Sequence, residues 1–228
     1  MLIIGLIPIK MYYIYIMNLR RKIKTYANAP ITHNVVMDAL ATYSRPNDKI
    51  SEMIRSGELV SLRRGLYVPG PELDLPIPDN FVIANHLRGP SYISLESALS
   101  YWDLIPERVY EISSVTTKTS KMYQTSLGRF SFQYLGTPYY SFGIRSVRLT
   151  EFQTAMIASP EKALCDKIVL TSGVQLRSIS QTMDFLLEDL RIDEEQLQAM
   201  DAQAIQSWVV EAPKSTSLQI LVNTLQRL

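Results

Sequence analysis

The chain has 228 residues, of which 46% are hydrophobic and 20% charged, and its formal net charge is +1. This composition excludes a largely disordered protein and is sufficient for two domains that each bury a core. The charge is unevenly distributed, because residues 1–69 carry 10 Lys and Arg against 4 Asp and Glu, whereas residues 151–228 carry 6 against 11. A basic first part and an acidic last part indicate that different segments meet different partners.

The first 16 residues are apolar, but Pro8 and Lys10 interrupt them. They are shorter than the roughly 20 residues that span a bilayer, and they lack the basic start and cleavage site of a signal peptide. We interpret them as the product of a start codon assigned too early, with Met17 or Met11 as the true beginning. A segment that packs onto the body of the protein is the second interpretation, and a membrane anchor is the third.

Two amphipathic helices are predicted next. Asn18 is a suitable N-cap for a first helix, whose apolar stripe consists of Leu19, Ile23, Tyr26 and Ala27. Thr32 is a suitable N-cap for a second helix, and Ile31 is placed to contact Val36 as a hydrophobic staple. The predicted buried face of this second helix is Val36, Ala39, Leu40 and Tyr43.

A third helix and a hairpin follow. The helix is predicted to begin after Asn47 as N-cap, to bury Ile50, Met53 and Ile54, and to end at Gly57. Two apolar runs, Leu59–Leu62 and Leu66–Val68, are joined by a short basic turn. Three helices followed by a hairpin are typical of a winged helix-turn-helix domain, here at residues 18–69. A helix-hairpin unit that serves only as scaffold is the alternative.

Cationic and polar side chains of this first domain are candidates for contact with double-stranded DNA. Arg63 and Arg64 at the hairpin tip are expected to bind phosphate, with a solvated turn as the alternative. The third helix presents side chains that suit phosphates or base edges, namely Arg45, Asn47, Lys49, Ser51, Glu52 and Arg55. If the five cations of this set each meet one phosphate, binding should show a log–log salt slope of about −4 to −5 per monomer.

The rest of the chain predicts a second domain at residues 79–228, after a proline-rich boundary at residues 69–80. It begins with helices at residues 81–87 and after Ser94. Patterns typical of strands follow at residues 110–116, 129–135, 139–144 and 152–157. Ser159 and Pro160 start another helix, and further helices are predicted at residues 176–190, 193–211 and 215–227. The predicted fold class is therefore α+β, a winged helix-turn-helix followed by a mixed α/β domain with a helical tail.

Residues that would support catalysis are scarce. The only cysteine, Cys165, falls on an apolar helical stretch and has no histidine nearby in sequence, because the two histidines are His33 and His86. No Cys or His group has the spacing of a zinc site, and no glycine-rich phosphate loop occurs. We therefore expect no catalytic residues, no metal and no cofactor. A single cysteine also favours a reducing, cytoplasmic compartment.

Three sequence patches resemble the AbiEi antitoxin family, the regulators of bacterial type IV toxin–antitoxin pairs that act in abortive infection. The first covers the end of the third helix and the hairpin, Ile54–Leu59 and Leu62–Tyr67. The second is Tyr92–Leu99 with Leu104–Glu107, and the third is Ala158–Asp166, preceded by Tyr140 and by Gly143 with Ile144. The patches occur in the family's order across residues 47–166. The acidic helical tail and the apolar start have no counterpart in the resemblance.

The resemblance implies a DNA-binding repressor of its own operon whose second domain counters a nucleotidyltransferase-like toxin. Pairs of this type are described as acting without a stable toxin–antitoxin complex, so the resemblance does not imply direct binding. A homodimer is expected, since two-fold proteins match paired DNA half-sites. The alternative is a protein-interaction module whose winged helix does not bind DNA specifically. An enzyme hidden in the strand-rich middle is the third hypothesis.

Overall fold

The structure is a computed structural model that describes residues 20–107 and 109–228. It divides after Asp79 into two compact units, of which unit 1 is described from residue 20 to residue 79 and unit 2 is Asn80–Leu228. Helices and a mixed sheet make the fold α+β. The expectations for residues 1–16 and for Asn18 and Leu19 lie outside the described residues.

Unit 1 contains three helices and a small antiparallel sheet. Residues 20–26 are helical and are called α1 here. The other elements are β1 (Ile31–Thr32), α2 (His33–Ala39), α3 (Pro46–Ser56), β2 (Leu59–Arg63), β3 (Leu66–Pro69) and a 3₁₀ turn at Pro71–Leu73. The strand order is β1-β3-β2, so the β2–β3 hairpin is extended by one short strand that precedes α2.

The core of unit 1 is apolar and draws on every element. Its fully buried members include Ile23 of α1, Val36 of α2, Met53 of α3 and Leu59 of β2. The helix α3 ends as predicted, because Gly57 takes the left-handed conformation (φ 81°) that costs glycine little. Its backbone N–H donates to the carbonyl of Ile54.

Several predictions for unit 1 are wrong in detail. Helix α3 begins two residues earlier than expected, with Arg45 instead of Asn47 as N-cap and Pro46 in the first turn, because proline at this position loses no intrahelical hydrogen bond. Tyr26 and Ile54, predicted to be buried, are 49% and 38% exposed. The proline-rich segment 69–80 contains the division between the two units, as predicted, but Leu73 in its 3₁₀ turn also joins the core of unit 1.

Unit 2 is built on a six-stranded mixed sheet. Its strands are β4 (Ser91–Ile93), β5 (Glu111–Thr116), β6 (Lys121–Thr125), β7 (Gly128–Tyr134), β8 (Ile144–Arg148) and β9 (Thr154–Ala158). Their order is β6-β7-β5-β4-β9-β8. The pairs β4–β9 and β5–β7 are parallel and the other pairs are antiparallel, with Phe130 and Phe132 of β7 fully buried.

Along the chain, one helix of unit 2 precedes the first strand, one lies between β4 and β5, and the others follow β9. They are α4 (Asn80–Leu87), α5 (Leu95–Tyr101), α6 (Pro160–Leu170), α7 (Ile179–Asp184) continued by a π-helical turn, α8 (Glu194–Gln198), α9 (Ala202–Trp208) and α10 (Ser215–Leu225). The helix α6 starts as predicted, because the Ser159 side chain accepts a hydrogen bond from the backbone N–H of Lys162. At the other end of α6, Lys214 Nζ donates to the carbonyls of Ile168, of the C-cap Thr171 and of Val174 in the loop that follows, at 2.8–2.9 Å.

The strand predictions for unit 2 are partly wrong. Residues 139–144, predicted as a strand, form a 3₁₀ turn at Tyr139–Ser141, and the strand that follows is β8. Strands β4 and β6 were not predicted. The first has three residues, and the second has no apolar alternation to signal it.

Among the described residues, no helix is long and apolar enough to span a membrane.

Candidate functional site

The tip of the β2–β3 hairpin carries the two arginines that the sequence singled out. Gly65 closes the turn in the left-handed conformation (φ 77°), and the strand register shifts between Ser61 and Arg63. Arg63 and Arg64 are exposed, and a guanidinium nitrogen of Arg63 donates to the Arg64 carbonyl at 3.3 Å. The backbone N–H of His33 donates to the carbonyl of Gly65 at 2.9 Å, which holds the start of α2 beside the tip. The tip is therefore a fixed, basic protrusion.

Two ion pairs run along the outer face of α3. Arg45 Nε lies 2.8 Å from Asp48 Oδ2, with 81% and 64% of these side chains exposed. Lys49 Nζ lies 2.8 Å from Glu52 Oε1, with 16% and 59% exposed. Both pairs have the i, i+3 spacing that brings side chains together on a helix surface. Each thus places a carboxylate beside a cation that the sequence assigned to DNA.

The environment of Lys49 favours its charged form. Burial acts to lower its pKa, but the hydrogen bond from Lys49 to Glu52 and the charges of Glu52 and Glu58 outweigh burial, so the pKa lies above its usual value. Lys49 therefore stays an ammonium group, and its hydrogen bond to Glu52 must be given up or shared for it to bind phosphate.

The remaining candidates on α3 differ in their availability. Asn47 is exposed, and its carbonyl accepts a hydrogen bond from Ser51 Oγ at 3.1 Å, so the Ser51 hydroxyl is bonded within the helix. Arg55 in the last turn is exposed, and neither it nor Arg64 forms an ion pair within the described part of the chain. Because α3 continues through Gly57 directly into β2, Arg55 lies near the base of the hairpin, about 15 Å of strand from the tip.

Unit 2 contains a buried polar cluster that the sequence did not reveal. Its centre is an ion pair within α6, Lys162 Nζ to Asp166 Oδ1 at 3.0 Å, with both side chains 0% exposed. The hydroxyls of Tyr92 and Ser94 donate to Asp166 Oδ2 at 2.9 and 2.8 Å. Lys162 Nζ also donates to the carbonyl of Tyr139 at 2.9 Å and lies 3.3 Å from the centre of the Tyr139 ring. The charges of this pair are thus compensated by several partners at once.

Burial governs the chemistry of this cluster. It lowers the pKa of Lys162, against the opposing effect of Asp166. Burial and the charge of Asp166 raise the pKa of Tyr92 and of Tyr139 far above the usual tyrosine value. Tyr92 and Ser94 belong to the second sequence patch, and Lys162 and Asp166 belong to the third, so those two patches meet in space. The one signal in the sequence was the i, i+4 spacing of Lys162 and Asp166 on helix α6.

The lone cysteine has the environment that the sequence predicted. Cys165 is fully buried on α6, and burial followed by the charge of Asp166 raises the pKa of its thiol. A thiol of this kind is a poor nucleophile. Among the residues that the structure describes, no group of three or more His, Cys, Asp or Glu side chains could hold a metal ion.

The class that these observations define is an α+β protein with a basic hairpin in unit 1 and a mixed sheet in unit 2. A protein of similar structure is the RV2827C protein from Mycobacterium tuberculosis, known from a crystal structure. It is 14% identical, with a TM-score of 0.61 over 93% of this chain and 77% of that chain, and this likeness concerns the fold alone. No family of known sequences matches the chain, and no curated protein matches it.

Proposed function

We propose that the protein is a DNA-binding transcriptional regulator in which α3 is the recognition helix of a winged helix-turn-helix and the β2–β3 hairpin is its wing. It acts as an antitoxin of the AbiEi type, represses its own operon and counters a nucleotidyltransferase-like toxin. The observation that carries the proposal is the exposed Arg63–Arg64 tip, held beside the start of α2 and following directly on a helix with a polar outer face.

The ion pairs of α3 change the expected number of phosphate contacts. Arg45 and Lys49 are engaged by carboxylates, so we expect Arg55, Arg63 and Arg64 to supply most of the contacts to the DNA backbone. Three contacts correspond to a log–log salt slope of about −3 per monomer, instead of the −4 to −5 expected from sequence.

The double variant Arg63→Ala with Arg64→Ala tests the wing. Because these side chains would bind phosphate, the variant should weaken binding to every duplex sequence about equally and flatten the salt slope by about 2. Fluorescence anisotropy of a labelled duplex from the region upstream of the gene, at several KCl concentrations, measures both quantities.

The matched control for this experiment removes two arginines from unit 2. Arg148→Ala with Arg177→Ala takes away the same charge and should leave affinity and slope within about twofold of the wild type. An equal loss in both double variants would contradict the wing assignment, because it would reflect total charge alone.

The toxin partner follows from the sequence resemblance. The proposal predicts that an adjacent reading frame encodes a nucleotidyltransferase-like protein whose expression arrests growth unless this chain is co-expressed. Co-expression that leaves the arrest unrelieved would contradict the antitoxin role while leaving DNA binding open to its own test.

Light scattering of the purified protein, with and without duplex, tests the expected homodimer.

The second candidate function is a protein-interaction module. It is favoured by the two carboxylates of α3, which neutralise part of the face that DNA would meet. This candidate predicts only weak retardation of any duplex in a gel shift, with no preference for upstream DNA. Retention of that preference at 0.15 M salt would exclude it.

A further inference from the structure

We propose that Asp48 and Glu52 set the DNA specificity of α3, by suppressing contacts that read only the phosphate backbone. This inference rests on the proposed function, since it assigns a role within the same DNA-binding face. Asp48 and Glu52 carry negative charge on a face that is proposed to bind DNA, which is itself a polyanion. A general attraction of this face to DNA does not explain why acidic residues occur there.

The geometry of α3 places each carboxylate where it competes with phosphate. Asp48 and Glu52 lie 2.8 Å from Arg45 and Lys49, and both carboxylates are more than half exposed. Double-stranded DNA carries one negative charge per about 1.7 Å of its axis. A duplex that approaches α3 therefore meets two ion pairs with no net charge in place of two free cations, and its backbone alone gains little from that contact.

A duplex of the correct sequence can offset this penalty at the base edges. A carboxylate accepts a hydrogen bond from the N4 amino group of cytosine in the major groove, a group that the other bases do not present in the same pattern. The ion pairs open when such a donor replaces the cation, and Arg45 and Lys49 then become available to phosphate or to a guanine edge. Specificity thus arises from repulsion of wrong sequences as well as attraction to the right one.

Within unit 1, Arg20 of α1 also pairs with a carboxylate, that of Asp74 at 3.0 Å, whereas two of the candidate DNA contacts do not. Arg55 of α3 and Arg64 at the tip have no carboxylate within ion-pair distance in the part of the chain described. Among the candidate DNA contacts in the described residues, Arg45 and Lys49 at the start of α3 are therefore paired with carboxylates, whereas Arg55 in its last turn and Arg64 at the tip are not. This division is the one expected if the start of α3 contacts base edges while its last turn and the hairpin tip bind the phosphate backbone.

The test uses one double variant that carries both Asp48→Asn and Glu52→Gln. Its DNA binding is compared with that of the wild-type full-length protein. The probes are a duplex selected by the wild type from a randomised pool and a scrambled duplex of the same length and composition. In 0.1 M KCl the variant should bind the scrambled duplex at least about tenfold more tightly, with a salt slope steeper by about 2, because two cations are released for phosphate. Its preference for the selected duplex should fall correspondingly.

Asp38→Asn with Glu72→Gln is the matched control, since it adds the same charge to unit 1 at exposed positions outside α3. The control should change the affinity for the scrambled duplex by less than about threefold. Equal effects of the two double variants, or no effect of either, would overturn the inference while the salt-dependent binding of the wild type still supported the proposed function. If the wild type bound no duplex even at 20 mM KCl, both this inference and the proposed function would be overturned.

Glu52→Gln alone provides a second measurement with little structural risk, because the Glu52 side chain is 59% exposed. It should yield about half of the change in salt slope seen in the double variant. Circular dichroism of each variant verifies that its helix content equals that of the wild type.

Discussion

The buried ion pair of Lys162 and Asp166 is the clearest case in which single side chains hold unit 2 together. A buried charge that loses its partner is costly, because the protein interior cannot replace the lost solvation. Asp166 would retain hydrogen bonds from Tyr92 and Ser94 in the absence of the lysine, but no cation. The pair is therefore expected to matter more for stability than any exposed ion pair of this chain.

Lys162→Met should lower the free energy of unfolding by about 3–5 kcal/mol, since it leaves the Asp166 carboxylate buried without its counter-charge. Urea denaturation followed by tryptophan fluorescence measures this in unit 2, which contains both Trp102 and Trp208. Lys167→Met on the same helix is the control, because its partner Glu96 is 43% exposed and the pair should contribute at most about 1 kcal/mol. Equal losses in the two variants would show that the buried pair has no special role.

Buried acids of unit 2 also predict a loss of stability at alkaline pH. Burial raises the pKa of Tyr92, Tyr139 and Cys165, whereas in the unfolded chain they ionise near 10.0, 10.0 and 9.0. Below pH 9 these groups are protonated in both states; above it only the unfolded state releases protons, so stability falls as pH rises. Lys162 and Lys214, whose pKa values burial lowers, act in the opposite direction, but they are two groups against these three acids and Tyr140, whose pKa burial also raises.

The slope of unfolding free energy against pH between 9 and 11 should therefore be negative, with each buried acid contributing up to about 1.4 kcal/mol per pH unit. Cys165→Ala should reduce the slope by removing one such group. Ala163→Gly on the same buried helix should lower stability at every pH and keep the slope. A flat profile for the wild type would contradict the burial of these acids.

At the residue scale, the sequence predicted the side chains that act locally. Gly57 and Ser159 were identified because helix caps depend on neighbours within three or four positions. The buried cluster was missed, since Tyr92 meets Asp166 across 74 positions and no local pattern carries such a contact. Among the candidate DNA contacts, the positions on α3 and on the tip were foreseeable, but the pairing of Arg45 and Lys49 with carboxylates depends on rotamers that the sequence does not fix.

At the scale of elements, the approach of the segment before β8 to helix α6 depends on one glycine. Gly143 has φ 62°, and a Cβ added there would lie 2.6 Å from Lys162 Cβ and 2.8 Å from the Trp208 ring. Its carbonyl accepts a hydrogen bond from the backbone N–H of Ser159, the N-cap of α6. The absence of a side chain at Gly143 therefore lets the backbone approach the start of α6 closely enough to form this hydrogen bond. A side chain at this position would overlap Lys162 and Trp208.

Gly143→Ala should destabilise unit 2 by more than Gly173→Ala, and the difference should be about 1–3 kcal/mol. Gly173 also has a left-handed backbone (φ 80°), but an added Cβ there meets no atom within 4 Å. Both variants incur the backbone cost of about 1–2 kcal/mol, so the comparison isolates the overlap with α6. Urea denaturation provides the measurement, and equal losses would mean that the surroundings of Gly143 relax freely.

Elements with strong local signals were predicted well, and those defined by distant partners were not. Helices α3 and α6 have clear end signals in the sequence, Gly57 at the end of α3 and Ser159 with Pro160 at the start of α6. The edge strand β6 has a mostly polar sequence and owes its conformation to pairing with β7. The aromatic residues Tyr139 and Tyr140 suggested a strand, yet Tyr139 turns inward to contact Lys162, a packing preference that outweighs strand propensity.

At the scale of the whole molecule, the division after Asp79 separates chemistry as well as structure. Residues 1–69 carry the excess of positive charge, and residues 151–228 carry the excess of negative charge. The proposed function assigns DNA to the first unit and toxin antagonism to the second. A consequence is that substitutions in the hairpin tip should weaken duplex binding while leaving the urea midpoint of unit 2 unchanged.

Salt-dependent binding of the wild-type protein to duplex DNA tests the central claim most directly. Anisotropy titrations with a duplex from the region upstream of the gene, between 50 and 200 mM KCl, give the affinity and its log–log slope. We predict a slope near −3 per monomer and a clear preference over a scrambled duplex. A slope close to zero, or equal affinity for the two duplexes throughout this range, would contradict the claim that α3 and the hairpin form a DNA-reading surface.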